Sequence, residues 1–253
     1  MNLIPDISKG RAIGEILLVL FLFVLLSGFI AIYYQFGFEG FTPAGADYIL
    51  SEAGIKEFQV PGLLITPLGT VFAILAIYAL QRSRGENLQT LGLRKPKSIG
   101  WALGWGLGTI VLLFGLLVVI ANILQYFELS QSADDFLFIR ENIWVFVFAL
   151  TGITWFHAAF GEELVFRGFI LRNLTVLTGG TGVGLAIAVV LQAAIFGALH
   201  LNQGVGGGLL IFILALAFGW VFIKVGKNLW PVIIAHGLFD TFQFSNLYFG
   251  WLN

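Results

Sequence analysis

The chain has 253 residues, 58% of them hydrophobic and 11% charged, with a net charge of -1 and a mean hydropathy of +0.95. A soluble domain of this length needs far more charge to cover its surface, so composition leaves a polytopic membrane protein and gives no support for a nucleic-acid partner. The absence of cysteine excludes disulfides, thiolate metal sites and a cysteine nucleophile.

Seven apolar stretches approach the length of about 20 residues that a bilayer-crossing helix needs. They lie at 13–34, 62–80, 101–125, 143–173, 183–200, 206–224 and 231–251. Lipid offers no water to unpaired backbone groups and the charged loops are too few for a barrel, so the expected fold is an all-α transmembrane bundle. The first stretch is too long for a signal-peptide core and lacks a small-residue cleavage site, so it reads as a retained anchor. The outer loop 35–61 carries Glu39, Asp47, Glu52 and Glu57 around Tyr48, Ile49 and Leu50, a candidate short interfacial helix. Small residues at Gly104, Gly106 and Gly108, and at Gly206 to Gly208, are expected at helix contacts or turns. The fourth stretch has 31 residues, with its charges in the second half. It is therefore tilted, projects beyond the bilayer, or is two helices, which would make eight spans. No phosphate-cradling GxxxxGK[ST] loop occurs, which argues against an ATP-driven pump.

Basic residues set the orientation. Lys9, Arg11, Arg82, Arg84, Arg94, Lys95, Lys97, Arg167, Arg172, Lys224 and Lys227 fall on one side of such a bundle, and only Lys56 and Arg140 on the other. The positive-inside rule puts the N-terminus in the cytoplasm.

An ionisable side chain near the bilayer centre costs roughly 2.5–3.5 kcal/mol on insertion scales, so such residues mark polar cavities and function. Glu162, Glu163 and Arg167 occur in EELVFRG inside the fourth stretch. Three pairs have i, i+4 spacing and share a helix face: Glu163 with Arg167, Phe196 with His200, and His236 with Asp240. Glu163–Arg167 reads as a burial-relieving salt bridge, or Arg167 as an interface anchor; neither accounts for Glu162, which has no cation in its own helix. Phe196 is expected to fix its helix and wall a pocket. His157 reads as a hydrogen-bonded packing residue. A carboxylate and two imidazoles in a low-dielectric pocket suit water activation. Glu162, His200 and His236 equally suit an open catalytic zinc site with water as fourth ligand, although the compact HExxH motif is absent. Helices rise about 1.5 Å per residue, so straight upright spans do not bring His200 level with His236. A tilt, a broken fourth or fifth helix, or a membrane-embedded 174–183 loop is expected to close that gap.

EELVFRG at 162–168, FGALH at 196–200 and HGLFD at 236–240 resemble the EExxxR, FxxxH and HxxxN/D motifs of the CPBP family, the CAAX-protease and bacteriocin-processing membrane proteins also called the Abi family. LGLRKP at 91–96 is similar to the basic stretch that often precedes a span there, and the likeness covers roughly residues 88–245. It implies an all-helical intramembrane endopeptidase, with 1–87 as N-terminal membrane helices and outer loop and 88–253 as the catalytic membrane domain. On that likeness Glu162 activates water with help from His200, Glu163 and Arg167 hold the motif in shape, and His236 with Asp240 stabilises the oxyanion. No cofactor is then required, zinc being the alternative. Family members often carry asparagine where this chain has Asp240, and an aspartate donates only when protonated. The implied substrate is a membrane-associated peptide or protein, and the expected location is a bacterial inner membrane. Bacteriocin self-immunity or processing of an undefined membrane peptide is then expected ahead of cleavage of prenylated CAAX proteins. A non-catalytic immunity or scaffold protein and a proton-relay transporter are the competing readings.

Overall fold

The computed structural model describes residues 5–25, 59–129, 139–140 and 143–251. Among them there are helices and turns and no strand. The helices are α1 (Lys9–Leu20), which runs on into a π turn at Phe21–Leu25, α2 (Gln59–Ser83), α3 (Ile99–Tyr126) and α4 (Ile143–Thr178), followed by α5 (Gly182–Ala198), α6 (Gly204–Lys224) and α7 (Leu229–Phe249). α3, α4 and the helical segment ending in α6 are long and apolar enough to cross a membrane. The latter part of the first apolar stretch and most of loop 35–61, with its candidate interfacial helix, lie outside the described residues.

Local chemistry sets the helix ends. Ser98 begins α3 by accepting the Trp101 N–H at 3.0 Å, and Asn228 begins α7 by accepting that of Trp230 at 3.0 Å. α7 stops at Gly250, whose φ of +68° an L side chain resists. α4 is a continuous helical element of 36 residues. Its middle, Ala149–Ile170, winds as a π-helix, closing i→i+5 rather than i→i+4 hydrogen bonds.

That winding lies at the centre of the bundle. Every residue from Gly161 to Thr175 is buried. α2 and α7 pack along the π segment, α3 backs α7, and α5 pairs with α6. Two glycines permit the closest approaches to the π segment. A Cβ on Gly161 would sit 2.5 Å from Thr70 Cγ2 of α2, and one on Gly237 of α7 would sit 2.6 Å from the Trp155 ring. Of the glycine clusters expected at contacts, Gly106 meets Ile234 and Gly208 meets Leu201, whereas Gly104 and Gly108 face open space. α3 instead shows Leu103, Leu107, Val111 and Val118 on the outside. An apolar surface of that extent suits lipid.

Charged residues gather at one end. Arg11 Nε meets Glu15 Oε1 at 2.7 Å, Arg84 pairs with the same carboxylate, and both Arg172 Nη atoms reach Glu86 at 2.6 Å. The LGLRKP stretch docks beside them on the α6–α7 turn. There Arg94 Nη2 donates to the Gly226 carbonyl at 2.6 Å, and the Leu229 N–H donates to that of Gly92 at 3.0 Å.

Candidate active site

The two glutamates of EELVFRG point to different partners. Glu163 Oε1 accepts from Arg167 Nη1 at 2.9 Å and from His236 Nδ1 at 2.8 Å, linking α4 to α7. Both Glu163 and Arg167 are fully buried. The Arg167 guanidinium lies 4.8 Å from the Phe196 ring of α5 and 4.9 Å from the Phe218 ring of α6. Its Nε and Nη2 make no hydrogen bond, so the two ring faces take the place of acceptors. One arginine thus ties three helices around the motif.

Glu162 is 7% exposed and sits between imidazoles. Its Oε1 lies 3.5 Å from His157 Nε2, and its Oε2 lies 3.8 Å from His236 Nε2. Asp240 Oδ2 is 3.4 Å from the same His236 nitrogen. With Nδ1 donating to Glu163, Nε2 of His236 is the atom turned toward Glu162 and Asp240. The Phe218 ring, 5.1 Å away, covers the imidazole.

His200 lies in the turn just past the end of α5. Its Nδ1 donates to the Phe196 carbonyl at 2.8 Å, an acceptor that fixes the tautomer and leaves Nε2 with its lone pair. It packs on the Phe196 ring at 4.7 Å and stands within electrostatic reach of Glu162. α5 is 17 residues long and follows α4 after a three-residue turn, Gly179–Thr181. His200 therefore joins the cluster through Phe196, whereas Glu162, Glu163, Arg167, His236 and Asp240 meet directly. Among the described residues no three His, Asp or Glu side chains group closely enough to hold a metal ion.

Three contributors escaped the sequence reading. His157 stands beside Glu162 rather than merely packing, Glu163 bonds His236 as well as Arg167, and Thr70 of α2 reaches His157 at 2.6 Å. His157 and Glu162 are five residues apart, a spacing that an α-helix spreads around its circumference and a π-helix stacks.

Residues 140–242 match the family model described as Type II CAAX prenyl endopeptidase Rce1-like. This segment is similar to an Rce1-like domain. It encloses all three motifs, from EELVFRG on α4 to HGLFD on α7, and agrees with the resemblance to CAAX proteases read from them. The Rce1-like domain supports a CAAX-type intramembrane endopeptidase, hence a peptide or protein substrate, and members of the family are membrane proteins. Nothing among the curated proteins or the solved structures matches the chain.

Proposed function

We propose that this protein is an intramembrane endopeptidase in which Glu162 activates the attacking water without a required metal. The observation that carries the reading is a buried carboxylate set between two imidazoles, with a second carboxyl group beside one of them. Buried ionisable groups in an apolar bundle are costly, and chemistry is the common return. Water beside Glu162 Oε2 gives up a proton to the carboxylate as its oxygen attacks the scissile carbonyl carbon. His200, with its Nε2 lone pair free, helps hold that water. The developing oxyanion faces His236 Nε2 and Asp240, a pair that donates when it holds a proton between its two atoms. Collapse breaks the C–N bond, and Glu162 returns the proton to the leaving amine. Glu163 and Arg167 take no proton in this scheme. They hold the His236 ring through Nδ1, as a carboxylate holds the imidazole of a serine-protease triad.

Seven spans with a cytoplasmic N-terminus place the site toward the inner leaflet. The Arg11, Arg84 and Arg172 cluster at one end supports that orientation, because basic residues favour the cytoplasmic face. The substrate is a membrane-associated peptide or protein, and a bacterial inner membrane is the location that fits. On this reading 88–253 is the catalytic part and 1–87 its N-terminal helices and loop, within one bundle.

The test incubates purified protein with a quenched fluorescent peptide prenylated on a cysteine four residues from its C-terminus, and with an unprenylated membrane-peptide library. Glu162→Gln is expected to lose about 10²–10⁴ of the cleavage rate. Chelator should leave the wild-type rate in place. Loss under chelator with recovery on adding zinc would replace the glutamate mechanism by a metal-dependent one. A biological immunity phenotype that survives Glu162→Gln would point to a non-catalytic scaffold.

A further inference from the structure

The Glu162 carboxylate has two inequivalent oxygens, and the contact of Oε1 is made by a residue outside the three motifs. His157 is stacked on Phe23 with ring centroids 4.9 Å apart and planes 12° apart, so its ring plane is fixed. Its Nδ1 lies 2.6 Å from Thr70 Oγ1, and its Nε2 lies 3.5 Å from Glu162 Oε1. Thr70 is fully buried, its Cγ2 lodged against Gly161, the residue before Glu162. Its hydroxyl also stands in donor position to the Thr66 carbonyl at 3.2 Å, the longer of its two contacts, and has one hydrogen for the two.

We propose that His157 is a positioning residue for the reaction: it holds Glu162 Oε1 through Nε2–H and so leaves Oε2, on the His236 side, as the oxygen that meets water. This rests on Glu162 being the base. The proton inventory supports the assignment. A carboxylate only accepts, so the nitrogen facing it carries the hydrogen. In the neutral ring Nδ1 is then an acceptor, and Thr70 gives its one hydrogen to Nδ1 at 2.6 Å in preference to the Thr66 carbonyl at 3.2 Å. The chain Thr70 O–H to Nδ1, then Nε2–H to Glu162, runs in one direction across two helices. The 3.5 Å separation is long for a hydrogen bond, as active-site contacts often are before substrate closes them. Oε1 thereby has a partner at 3.5 Å, while His236 Nε2 stands farther from Oε2, at 3.8 Å.

The chain has only three histidines, so their ring nitrogens are resolvable by ¹⁵N NMR of histidine-labelled protein in micelles, assigned by single substitutions. The expected spectrum shows His157 with a bare Nδ1 and a protonated Nε2, the reverse of His200, which donates from Nδ1. Thr70→Val should perturb the His157 signals and leave those of His200 in place. In the cleavage assay, with the prenylated peptide or a library member that wild type cuts, His157→Phe keeps the stack on Phe23 but has no donor. It is expected to lower kcat about 10–100-fold, the scale on which groups orienting a reacting side chain act, with KM changed less than about twofold. His157→Gln should recover part of that loss through its amide, and Thr70→Ser should outperform Thr70→Val. A proton found on His157 Nδ1 with Nε2 bare overturns the proposal. So does a wild-type kcat in His157→Phe while Glu162→Gln is inactive. Activity retained in Glu162→Gln would instead remove the underlying mechanism, a result distinct from either.

Discussion

Arg167 offers the sharpest test of how the site is held together. Its bond to Glu163 lies within α4 at i, i+4. Membrane helices separated from one another keep their internal contacts, so this pair persists when the bundle comes apart and largely cancels from the unfolding free energy. What unfolding removes is the sandwich between Phe196 of α5 and Phe218 of α6, at 4.8 and 4.9 Å. A desolvated cation–π contact is worth up to about 2 kcal/mol. Arg167→Met should therefore cost about 2–4 kcal/mol. Arg167→Lys keeps the charge but loses the flat guanidinium that lies against both rings, and should cost about 1–2 kcal/mol. A cycle combining Arg167→Met with Phe218→Leu isolates one face. A coupling of about 1–2 kcal/mol is expected, within the range seen for residues in contact. The assay is reversible unfolding in mixed micelles, followed for wild type, both singles and the double. Additivity within about 0.5 kcal/mol would refute the sandwich as a source of cohesion.

Two further outcomes follow from the geometry. Gly161→Ala puts a methyl 2.5 Å from Thr70 Cγ2 and 3.2 Å from the Phe156 carbonyl. Overpacking of this kind costs about 1–3 kcal/mol, so the melting temperature and kcat should fall together, and an unchanged melting curve would contradict the close approach of α2. The Arg172 guanidinium, bonded to both oxygens of Glu86, holds that carboxyl below its ordinary range. The unfolded chain then binds the extra proton first, so this contribution is complete above the ordinary carboxyl pKa and is lost as pH falls through the depressed one. Thermal melts taken from pH 6 down to about pH 3, a span chosen around the ordinary glutamate value, should show a shallower acid decline in Glu86→Gln than in wild type.

Hydropathy located the helices well because the lipid requirement acts on local runs of residues. α2, α3, α6 and α7 each overlay an apolar stretch within a few positions. The motif pairs Glu163–Arg167 and Phe196–His200 were equally legible, since i, i+4 neighbours meet in almost any helix. His157 was not, because its proximity to Glu162 depends on π winding, for which the sequence carries no periodic signal. Thr70 and Phe218 were hidden for another reason. Each is an ordinary residue in an apolar run, and only the packing of α2 and α6 onto α4 gives it a partner in the site. The short reach of α5, which sets His200 in a turn, depends on where Gly179 with φ of +93° reverses the chain.

The seat of Thr70 against Gly161 has a practical corollary for transplantation. Residues 140–242 contain every motif, yet a buttress of the Glu162 turn comes from α2, more than sixty positions upstream of the segment's first residue. A chimera that grafts the matched segment onto foreign N-terminal helices inherits the acids and imidazoles without the hydroxyl that orders them. Swaps between relatives should therefore carry α2 along with the graft.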